Sequence, residues 1–321
     1  MKLIKNLRKQ AKQINSIVLL PEANIDKRVY SACEFLLKNK LSKIAVFGKP
    51  NEFGKIFQDK TWCQIIDTTT INKTKYAKKL FKLREHKGMT LEQATSLLDN
   101  PQYLSMMLLK DKKVNAVVAG AVWSSAETLK PALQIIKTKK GKNKCFASML
   151  MLKKGKRPLV FSDIALIQQP SAEDLSEIAI SSAEFMDKVL GLNPKVAMLS
   201  FSTYGSAKGE MVDLVKNATI LAQKKSNYDI QGEIQVDVAL DVKTAKFKGA
   251  TSTNAGKSNV LVFPDLNSGN IGYKLVSKLA GYQAVGPIIL NFNQPVEDLS
   301  RGCTKEEVIN TVCIAKLLHK N

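Results

Sequence analysis

Cysteines, histidines and long apolar runs are scarce in this chain of 321 residues. Its five cysteines are odd in number and include no CxxC pair, which argues against a disulfide framework and a zinc cluster. No apolar run reaches the roughly eighteen residues that a membrane-spanning helix needs, and the first residues lack the apolar core of a secretory signal. These absences predict a cytoplasmic protein with free thiols.

The balance of charge is strongly basic, with 49 Lys and Arg against 28 Asp and Glu and a formal net charge of +21. Basic surfaces bind nucleic acid by releasing counterions from phosphates, so a basic nucleic-acid-binding protein is one class that the composition permits. However, the lysines are spread along the chain, aromatic residues make up only 7%, and no zinc finger or aromatic RNA-binding motif occurs. The charge is also compatible with a polyanionic small substrate.

Arginine supplies only five of the basic residues, namely Arg8, Arg28, Arg84, Arg157 and Arg301. Where lysine is the usual cation, an arginine indicates a place that needs bidentate binding of a phosphate or a carboxylate. Arg84 and Arg301 both fall in polar, turn-like stretches, which makes them candidates for binding an anion.

Short apolar runs alternate with helix-periodic segments along the chain. The run at 16–20 precedes a helical pattern at 25–37 and a second run at 44–48, and this βαβ unit predicts a parallel sheet. A second series of the same kind begins at 159–163. Since domains average about 150 residues, we expect two α/β domains, with the boundary near the basic segment 137–144.

Local spacings predict individual elements within these series. Thr90 with Gln93, and Ser171 with Asp174, have the spacing of a capping box and indicate helix starts. The alternating apolar residues at 234–240 predict a strand.

Polar loops follow the buried strands, at the ends where open α/β sheets bind their ligands. Ser124 follows the apolar run at 116–122, and it has the alternative role of capping the next helix. Ser202 and Thr203 lie in a loop rich in hydroxyls and glycine after the strand at 195–200. Such a loop ahead of a helix suits an anion.

The most informative stretch is a polar turn near the C-terminus. Ser300 and Arg301 precede an apolar-periodic run at 308–318, which predicts a terminal helix beginning near Thr304. Hydrogen-bond donors ahead of a helix N-terminus suit an anion. Glu307 stands three residues after Thr304, where its carboxylate can complete a capping box.

Together, segments across nearly the whole chain resemble the short phosphate acetyltransferases, also called phosphotransacetylases. In chain order, they are REHKGMT (84–90), LKPALQIIKT (129–138), VAMLSFST (196–203), VFPDL (262–266), GNIGYK (269–274) and DLSRGC (298–303). The resemblance implies reversible acetyl transfer between coenzyme A and inorganic phosphate. It also implies a homodimer in which coenzyme A is a substrate and no cofactor is bound permanently.

The resemblance also implies two α/β domains with a cleft between them, similar to isocitrate and isopropylmalate dehydrogenases. The C-terminal segment is expected to return to the first domain, so the expected boundaries are 1–143 plus 296–321 and 144–295. No aspartate-rich cluster is evident, so we predict no metal site and disfavour a dehydrogenase.

In this family the positions that match Ser300 and Arg301, with an acid seven residues after the serine, are regarded as catalytic. The acid here is Glu307. A coenzyme A thiol has a pKa of about 8.5, so a carboxylate base and a nearby cation help to form the attacking thiolate. Arg301 and Ser300 are then expected to stabilise the charge of the intermediate. The candidate substrate-binding residues are Arg84, Lys130, Ser124, Ser202, Thr203, Asn270, Tyr273 and Lys274.

The chain departs from the family pattern in several places. Glu307 replaces an aspartate, and its role as a helix cap stays open, with Glu306 as an alternative base. Lys130 replaces an arginine and loses the bidentate fork, and Trp123 stands where relatives often carry histidine. Cys303 is a conceivable acyl acceptor, but no histidine lies near it in sequence.

Three other functions stay open at this point. One is a phosphate butyryltransferase or another longer-chain acyltransferase, and another is a catalytically silent regulatory domain of the same fold. The third is the basic nucleic-acid-binding protein. The intact pair of Ser300 and Arg301 argues against the silent domain.

Overall fold

The computed structural model describes residues 2–250, 252 and 254–320. This part of the chain divides into two compact units. The first unit comprises Lys2–Lys140 and the C-terminal residues from Phe292 onwards, and the second comprises Gly141–Asn291. Each unit has its own β-sheet and its own helices, so the expectation of two α/β domains is confirmed.

The N-terminal part of the first unit alternates helices and short strands. Its elements are α1 (Lys2–Lys12), β1 (Ile17–Leu20), α2 (Lys27–Lys38), β2 (Lys43–Phe47), β3 (Cys63–Ile66), α3 (Lys73–Arg84), α4 (Leu91–Leu97), α5 (Pro101–Lys110), β4 (Ala116–Ala119) and α6 (Ser125–Ile135). The predicted βαβ unit is confirmed, because β1 and β2 pair in parallel.

The second unit follows, and the chain then returns to the first. The second unit contains β5 (Phe146–Leu152), β6 (Leu159–Ser162), α7 (Ala172–Glu184), β7 (Lys195–Leu199), α8 (Glu210–Lys225), β8 (Asp229–Ile234), α9 (Val236–Leu240), α10 (Val242–Phe247), β9 (Val260–Val262), α11 (Leu266–Ala280) and β10 (Gln283–Leu290). The returning elements are β11 (Val296–Asp298) and α12 (Lys305–Lys320).

The sheet of the first unit is parallel, with the strand order β11-β4-β1-β2-β3. Its central strands β1 and β4 are almost fully buried, which explains their continuous apolar sequences. The last strand in sequence, β11, lies beside β4, with Asp298 opposite Ala119. The carboxyl ends of β1, β4 and β11 therefore meet at one edge of the sheet, where the loops that carry Glu22, Ser124 and Ser300 begin.

The sheet of the second unit is mixed, with the strand order β10-β5-β6-β9-β7-β8. Strands β6, β9, β7 and β8 pair in parallel, whereas β5 pairs antiparallel with both β6 and β10. The connection between β5 and β6 spans only residues 153–158, which is too short for the crossover that a parallel pair needs.

The strand predicted for 234–240 is wrong. Ile234 ends β8, and the following residues form the short helix α9. Val238 and Ala239 are both buried although they are neighbours, whereas consecutive residues of a strand point to opposite faces. Periodicity over so short an apolar run does not separate a strand from a helix.

The predicted capping boxes are confirmed. Gln93 N–H donates to Thr90 Oγ1 at 3.1 Å, and Thr90 N–H donates to Gln93 Oε1 at 2.9 Å. Ser171 and Asp174 make the same reciprocal pair at the start of α7. None of the helices in the described part of the chain is long and apolar enough to span a bilayer.

Candidate active site

The turn between β11 and α12 presents Ser300 and Arg301 on the surface. Cys303 N–H closes this turn by donating to Ser300 O at 2.9 Å, and Gly302 N–H donates to Ser300 Oγ at 3.2 Å. The Arg301 guanidinium makes no hydrogen bond or ion pair with any residue that the structure describes. It is therefore available to an anion.

The start of α6 lies close to this turn. Ser124 caps α6, with Glu127 N–H donating to Ser124 Oγ at 3.3 Å and Ser124 Oγ donating to Glu127 Oε2 at 2.7 Å. Hydrogen bonds from Ser124 lower the pKa of Glu127, and the charge of Arg301 lowers it further. The capping role of Ser124 is thus confirmed, and its contact with substrate stays a prediction.

Glu307 completes a capping box at the start of α12. Its Oε2 accepts from Thr304 N–H at 2.6 Å and from Thr304 Oγ1 at 3.0 Å, while Glu307 N–H donates to Thr304 Oγ1 at 3.3 Å. Within the described residues, Oε1 of the same carboxylate receives no hydrogen bond. The cap occupies one oxygen and leaves the other for a substrate, so capping and base catalysis do not exclude each other.

Glu22 organises the loop after β4, and sequence reasoning assigned it no role. Glu22 comes two residues after the end of β1, immediately after Pro21, and it is 0% exposed. It accepts from the backbone N–H groups of Gly120 at 3.1 Å, Ala121 at 3.0 Å and Val122 at 3.0 Å. Burial raises the pKa of Glu22, and these backbone donors lower it. The only local sequence feature that could have identified Glu22 is its position as an acidic residue just after a buried strand.

Asp298 is a second buried carboxyl group at the same sheet edge. It is 4% exposed, ends β11, and lies against the backbone of Gly120 and the first turn of α6. Burial raises the pKa of Asp298 to about 6, the Ser125 hydroxyl lowers it, and the charge of Glu22 raises it. Asp298 therefore titrates in a pH range where ordinary carboxyl groups are already ionised.

We expect Asp298→Asn to change the pH dependence of stability. The pKa of Asp298 in the folded chain lies above the ordinary value of about 3.9, so its contribution is complete below that value and is lost as the pH rises through 6. Between pH 4.5 and pH 7.5, the wild type should lose about 2 kcal/mol relative to Asp298→Asn. Denaturant unfolding at both pH values measures this difference.

Asp67→Asn is the matched control for this prediction. Asp67 is partly exposed, and hydrogen bonds from Thr69 lower its pKa. Its contribution to stability is therefore lost as the pH falls, which is the opposite direction. Identical pH profiles for the wild type and Asp298→Asn would show that Asp298 does not titrate in this range.

Cys303 is buried in the same turn, and burial raises the pKa of its thiol to about 11. At neutral pH almost none of it is the reactive thiolate, which argues against an acyl-accepting cysteine. The other cysteines, Cys33, Cys63, Cys145 and Cys313, are buried as well, and burial raises the pKa of each.

Two predicted cationic groups of the first unit lie on neighbouring helices. Lys130 is exposed on α6. Arg84 ends α3, and its Nε atom is buried without a hydrogen-bond partner among the described residues. Burial raises the pKa of Tyr103, and the charge of Arg84 lowers it, which places the guanidinium near that ring. Binding of substrate by Arg84 and Lys130 stays a prediction.

The hydroxyl groups of Ser202 and Thr203 make hydrogen bonds that hold their loop in the second unit. Both are buried. Ser202 Oγ donates to Glu233 Oε1 at 3.2 Å and accepts from Ala207 N–H at 3.1 Å. Thr203 Oγ1 donates to Gln235 Oε1 at 3.2 Å. These contacts shape the loop, and a direct contact of either hydroxyl with substrate stays a prediction.

Asn270, Tyr273 and Lys274 lie in the N-terminal and middle turns of α11. Asn270 Nδ2 donates to Ile164 O at 2.9 Å, and its Oδ1 accepts from Lys274 Nζ at 2.6 Å. Lys274 Nζ also lies 5.8 Å from the centre of the Tyr273 ring. The three side chains are thus grouped, and their contact with substrate stays a prediction.

Asp163 fixes the loop between β6 and α7, and sequence reasoning missed this residue too. The start of α11 contacts this loop, where Leu266 N–H donates to Gln168 O at 3.2 Å. Asp163 directly follows β6 and is 4% exposed. Its carboxylate accepts from the N–H groups of Ala147 at 3.0 Å, Ala165 at 2.9 Å and Ile167 at 2.6 Å. Each unit therefore uses a buried carboxylate at a strand end to hold a polar loop.

Comparisons with known proteins agree with this architecture. The chain matches the family described as "Phosphate acetyl/butaryl transferase" over residues 2–316. It is 41% identical to the phosphate acetyltransferase of Clostridium acetobutylicum, over 98% of this chain and 97% of that protein. For the relative from Bacillus subtilis, the identity is 38% over 92% and 93% of the two chains. The phosphotransacetylase structure from Streptococcus pyogenes has a TM-score of 0.92 at 35% identity and covers 99% of this chain and 98% of its own. The chain therefore belongs to the phosphate acetyltransferase and butyryltransferase family.

Proposed function

We propose that this protein catalyses the reversible reaction of acetyl-CoA with inorganic phosphate to give acetyl phosphate and coenzyme A. The observation that carries the proposal is the exposed Arg301 guanidinium, which is unpaired within the described residues. It stands on the turn after β11, in a chain that matches the acyltransferase family over residues 2–316. Coenzyme A is a substrate in this reaction, and no cofactor is bound permanently.

The proposed mechanism is direct transfer without an acyl-enzyme. Glu307 Oε1 accepts the proton of the coenzyme A thiol, and the sulfur attacks the carbonyl carbon of acetyl phosphate. The tetrahedral intermediate then releases phosphate as its C–O bond to the phosphate oxygen breaks, and Glu307 returns the proton to the departing phosphate, which leaves as HPO₄²⁻. Arg301 stabilises the negative charge on the oxyanion or on the departing phosphate, and Ser300 donates a hydrogen bond to the intermediate. In reverse, a phosphate oxygen attacks the thioester.

The proposed substrate contacts come from side chains on several polar loops and helices. Arg84 and Lys130 bind phosphate groups of coenzyme A or of the acyl phosphate, since both side chains are cationic and Lys130 is exposed. The remaining proposed contacts come from Ser124, Ser202, Thr203, Asn270, Tyr273 and Lys274. Ser202 and Thr203 contribute chiefly through the shape of their loop, because their hydroxyls already donate to Glu233 and Gln235 at the end of β8.

We also propose that the protein is a cytoplasmic homodimer. The solvent-facing side of α11 supports self-association, because Ile271, Leu275 and Leu279 recur at four-residue spacing and are 56%, 51% and 82% exposed. Light scattering of the purified protein tests this directly, since a monomeric mass would contradict it.

Mixing acetyl phosphate with coenzyme A and following thioester absorbance tests the reaction, with butyryl phosphate in a parallel arm. Rapid thioester formation from acetyl phosphate supports the proposal. Faster turnover of butyryl phosphate would assign the protein to the longer-chain acyltransferases. Absence of thioester from both donors would leave the silent domain and the nucleic-acid-binding protein as the alternatives.

The substitution Glu307→Gln separates the two roles of this residue. Glutamine still serves a capping box through its amide oxygen, as Gln93 does at the start of α4, but it cannot accept a proton as a base. We expect kcat to fall about a hundredfold with almost no change in melting temperature. Steady-state kinetics and calorimetry measure the two quantities.

Glu306→Gln is the control for the neighbouring carboxylate. Glu306 forms an ion pair with Arg8 at the start of α12, so its loss should leave kcat unchanged. If Glu307→Gln keeps full activity, Glu307 is only a helix cap. If Glu306→Gln is the inactive variant, the alternative base is the correct one.

A further inference from the structure

The Arg28 guanidinium joins two loops at the carboxyl edge of the first sheet. Its Nη1 donates to Arg301 O at 2.7 Å and to Cys303 O at 3.0 Å, on the turn that carries Arg301. Its Nη2 donates to Ala121 O at 3.0 Å, in the loop between β4 and α6. One side chain therefore holds both loops of the candidate site at once.

Asp26 fixes the orientation of this guanidinium. Asp26 is the N-cap of α2 and accepts from the N–H groups of Arg28 at 2.8 Å and Val29 at 3.1 Å. Its Oδ2 also accepts from Arg28 Nη2 at 2.8 Å, and its Oδ1 accepts from Arg28 Nε at 3.2 Å. The planar fork of the arginine is thus held on one side by a carboxylate that is itself anchored to a helix end.

All five N–H donors of the Arg28 guanidinium have acceptors. Nε serves Asp26, Nη1 serves the carbonyl groups of Arg301 and Cys303, and Nη2 serves Asp26 and Ala121. No donor remains for a substrate phosphate. This separates Arg28 from Arg301, whose guanidinium makes no such contacts among the described residues.

We propose that Arg28 is a positioning residue for the acyl-transfer reaction. Arg28 sets the placement of Arg301 by holding the carbonyl groups on both sides of Gly302. Two acceptors on the turn and one on the neighbouring loop need a planar fork, and the single ammonium of a lysine cannot span them. A shift of about 1 Å in a transition-state donor costs about a hundredfold in rate. The inference rests on the proposed acyl transfer, because its readout is that reaction.

Arg28→Lys is the test, and Arg8→Lys is its matched control. Arg8 also reaches the C-terminal segment, where it pairs with Glu306 and its Nε and Nη2 donate to Asn310 Oδ1 at 3.1 and 2.7 Å, and it contacts α12 rather than the turn. We expect Arg28→Lys to lower kcat about 10- to 100-fold while the KM values for coenzyme A and acetyl phosphate change by less than about threefold. Arg8→Lys should keep kcat within about twofold, whatever its melting temperature.

A double-mutant cycle distinguishes positioning from general destabilisation. If Arg28 acts through Arg301, then Arg28→Lys should lower kcat by less than about threefold in an Arg301→Ala background. An equal loss in both backgrounds would overturn the proposal, as would wild-type kcat in Arg28→Lys alone. A raised KM for coenzyme A with unchanged kcat would also overturn it, since that result identifies a binding residue.

Asp26→Asn provides a second variant should Arg28→Lys fail to fold. Asparagine keeps the N-cap of α2 but removes the charge that orients the guanidinium. It should lower kcat about threefold in the wild type and leave kcat unchanged in the Arg301→Ala background, whereas an unchanged kcat in the wild type would overturn the proposal. A wild type that forms no thioester would instead refute the proposed function, so the two failures are distinguishable.

Discussion

Arg301→Ala is expected to lower kcat for acetyl transfer about a thousandfold. Removing one well-placed donor to a developing oxyanion costs about 10²–10³ in kcat, and Arg301 carries a full charge as well. Its guanidinium is exposed and makes no bond within the described residues, so its loss should leave the melting temperature almost unchanged. Arg301→Lys keeps the charge but loses the bidentate fork, and its kcat should lie between those of the wild type and Arg301→Ala.

Steady-state kinetics with acetyl phosphate and coenzyme A, together with calorimetry, measure these variants. Arg157→Ala is the control for arginine loss, because the only described acceptors of Arg157 are the carbonyl groups of Leu240 and Gly256 in the second unit. It should retain wild-type kcat. Full turnover by Arg301→Ala would remove Arg301 from the active site, and the proposed mechanism would lose its principal cation.

Gly120→Ala is expected to destabilise the first unit by about 4 kcal/mol, since backbone strain and overpacking each cost about 1–3 kcal/mol. Gly120 has φ +101°, a conformation that side chains disfavour. A Cβ atom there would lie 2.7 Å from Leu299 O and 2.8 Å from Leu299 N, and it would overlap Asp298 Oδ1. The neighbouring backbone cannot withdraw, because Leu299 N–H donates to Ala119 O at 2.6 Å.

Gly88→Ala isolates the strain from the overpacking. Gly88 lies in the same unit and has φ +79°, but no described atom lies within 4 Å of the position that its Cβ would take. Its substitution should cost about 1 kcal/mol, from the backbone conformation alone. Denaturant unfolding followed by tryptophan fluorescence compares the two variants. Equal losses would mean that the edge between β4 and β11 is not closely packed around Gly120.

Local patterns predicted those parts of the structure that local physics determines. The capping boxes at Thr90, Ser171 and Thr304 depend on residues three positions apart, and all three are present. The buried strands β1 and β4 were predicted because apolar residues fill them without interruption. In contrast, the short helix α9 was mistaken for a strand, because four apolar residues over seven positions fit both periods.

The roles of Arg28 and Glu22 could not be predicted from the sequence. Arg28 binds carbonyl groups that lie 273 and 275 residues away along the chain, and Glu22 binds amides about 100 residues away. Backbone groups carry no residue-specific signal, so no motif announces such contacts. The pairing of β11 with β4 is equally non-local. The strand β11 itself could not be predicted either, because three residues give too short a pattern. Ser300 and Arg301 could be predicted from the sequence, because the turn that carries them and the helix that follows are contiguous along the chain.

The five buried thiols have a practical consequence for measuring the reaction. An aromatic disulfide reagent detects free thiolates, and burial withholds every cysteine of the folded chain from it. In the direction that consumes acetyl-CoA, the colour that develops should therefore report the released coenzyme A, with a flat background from the protein. In strong denaturant the same reagent should count five thiols per chain. The rate at which that colour appears in denaturant therefore reports the rate at which the protein unfolds.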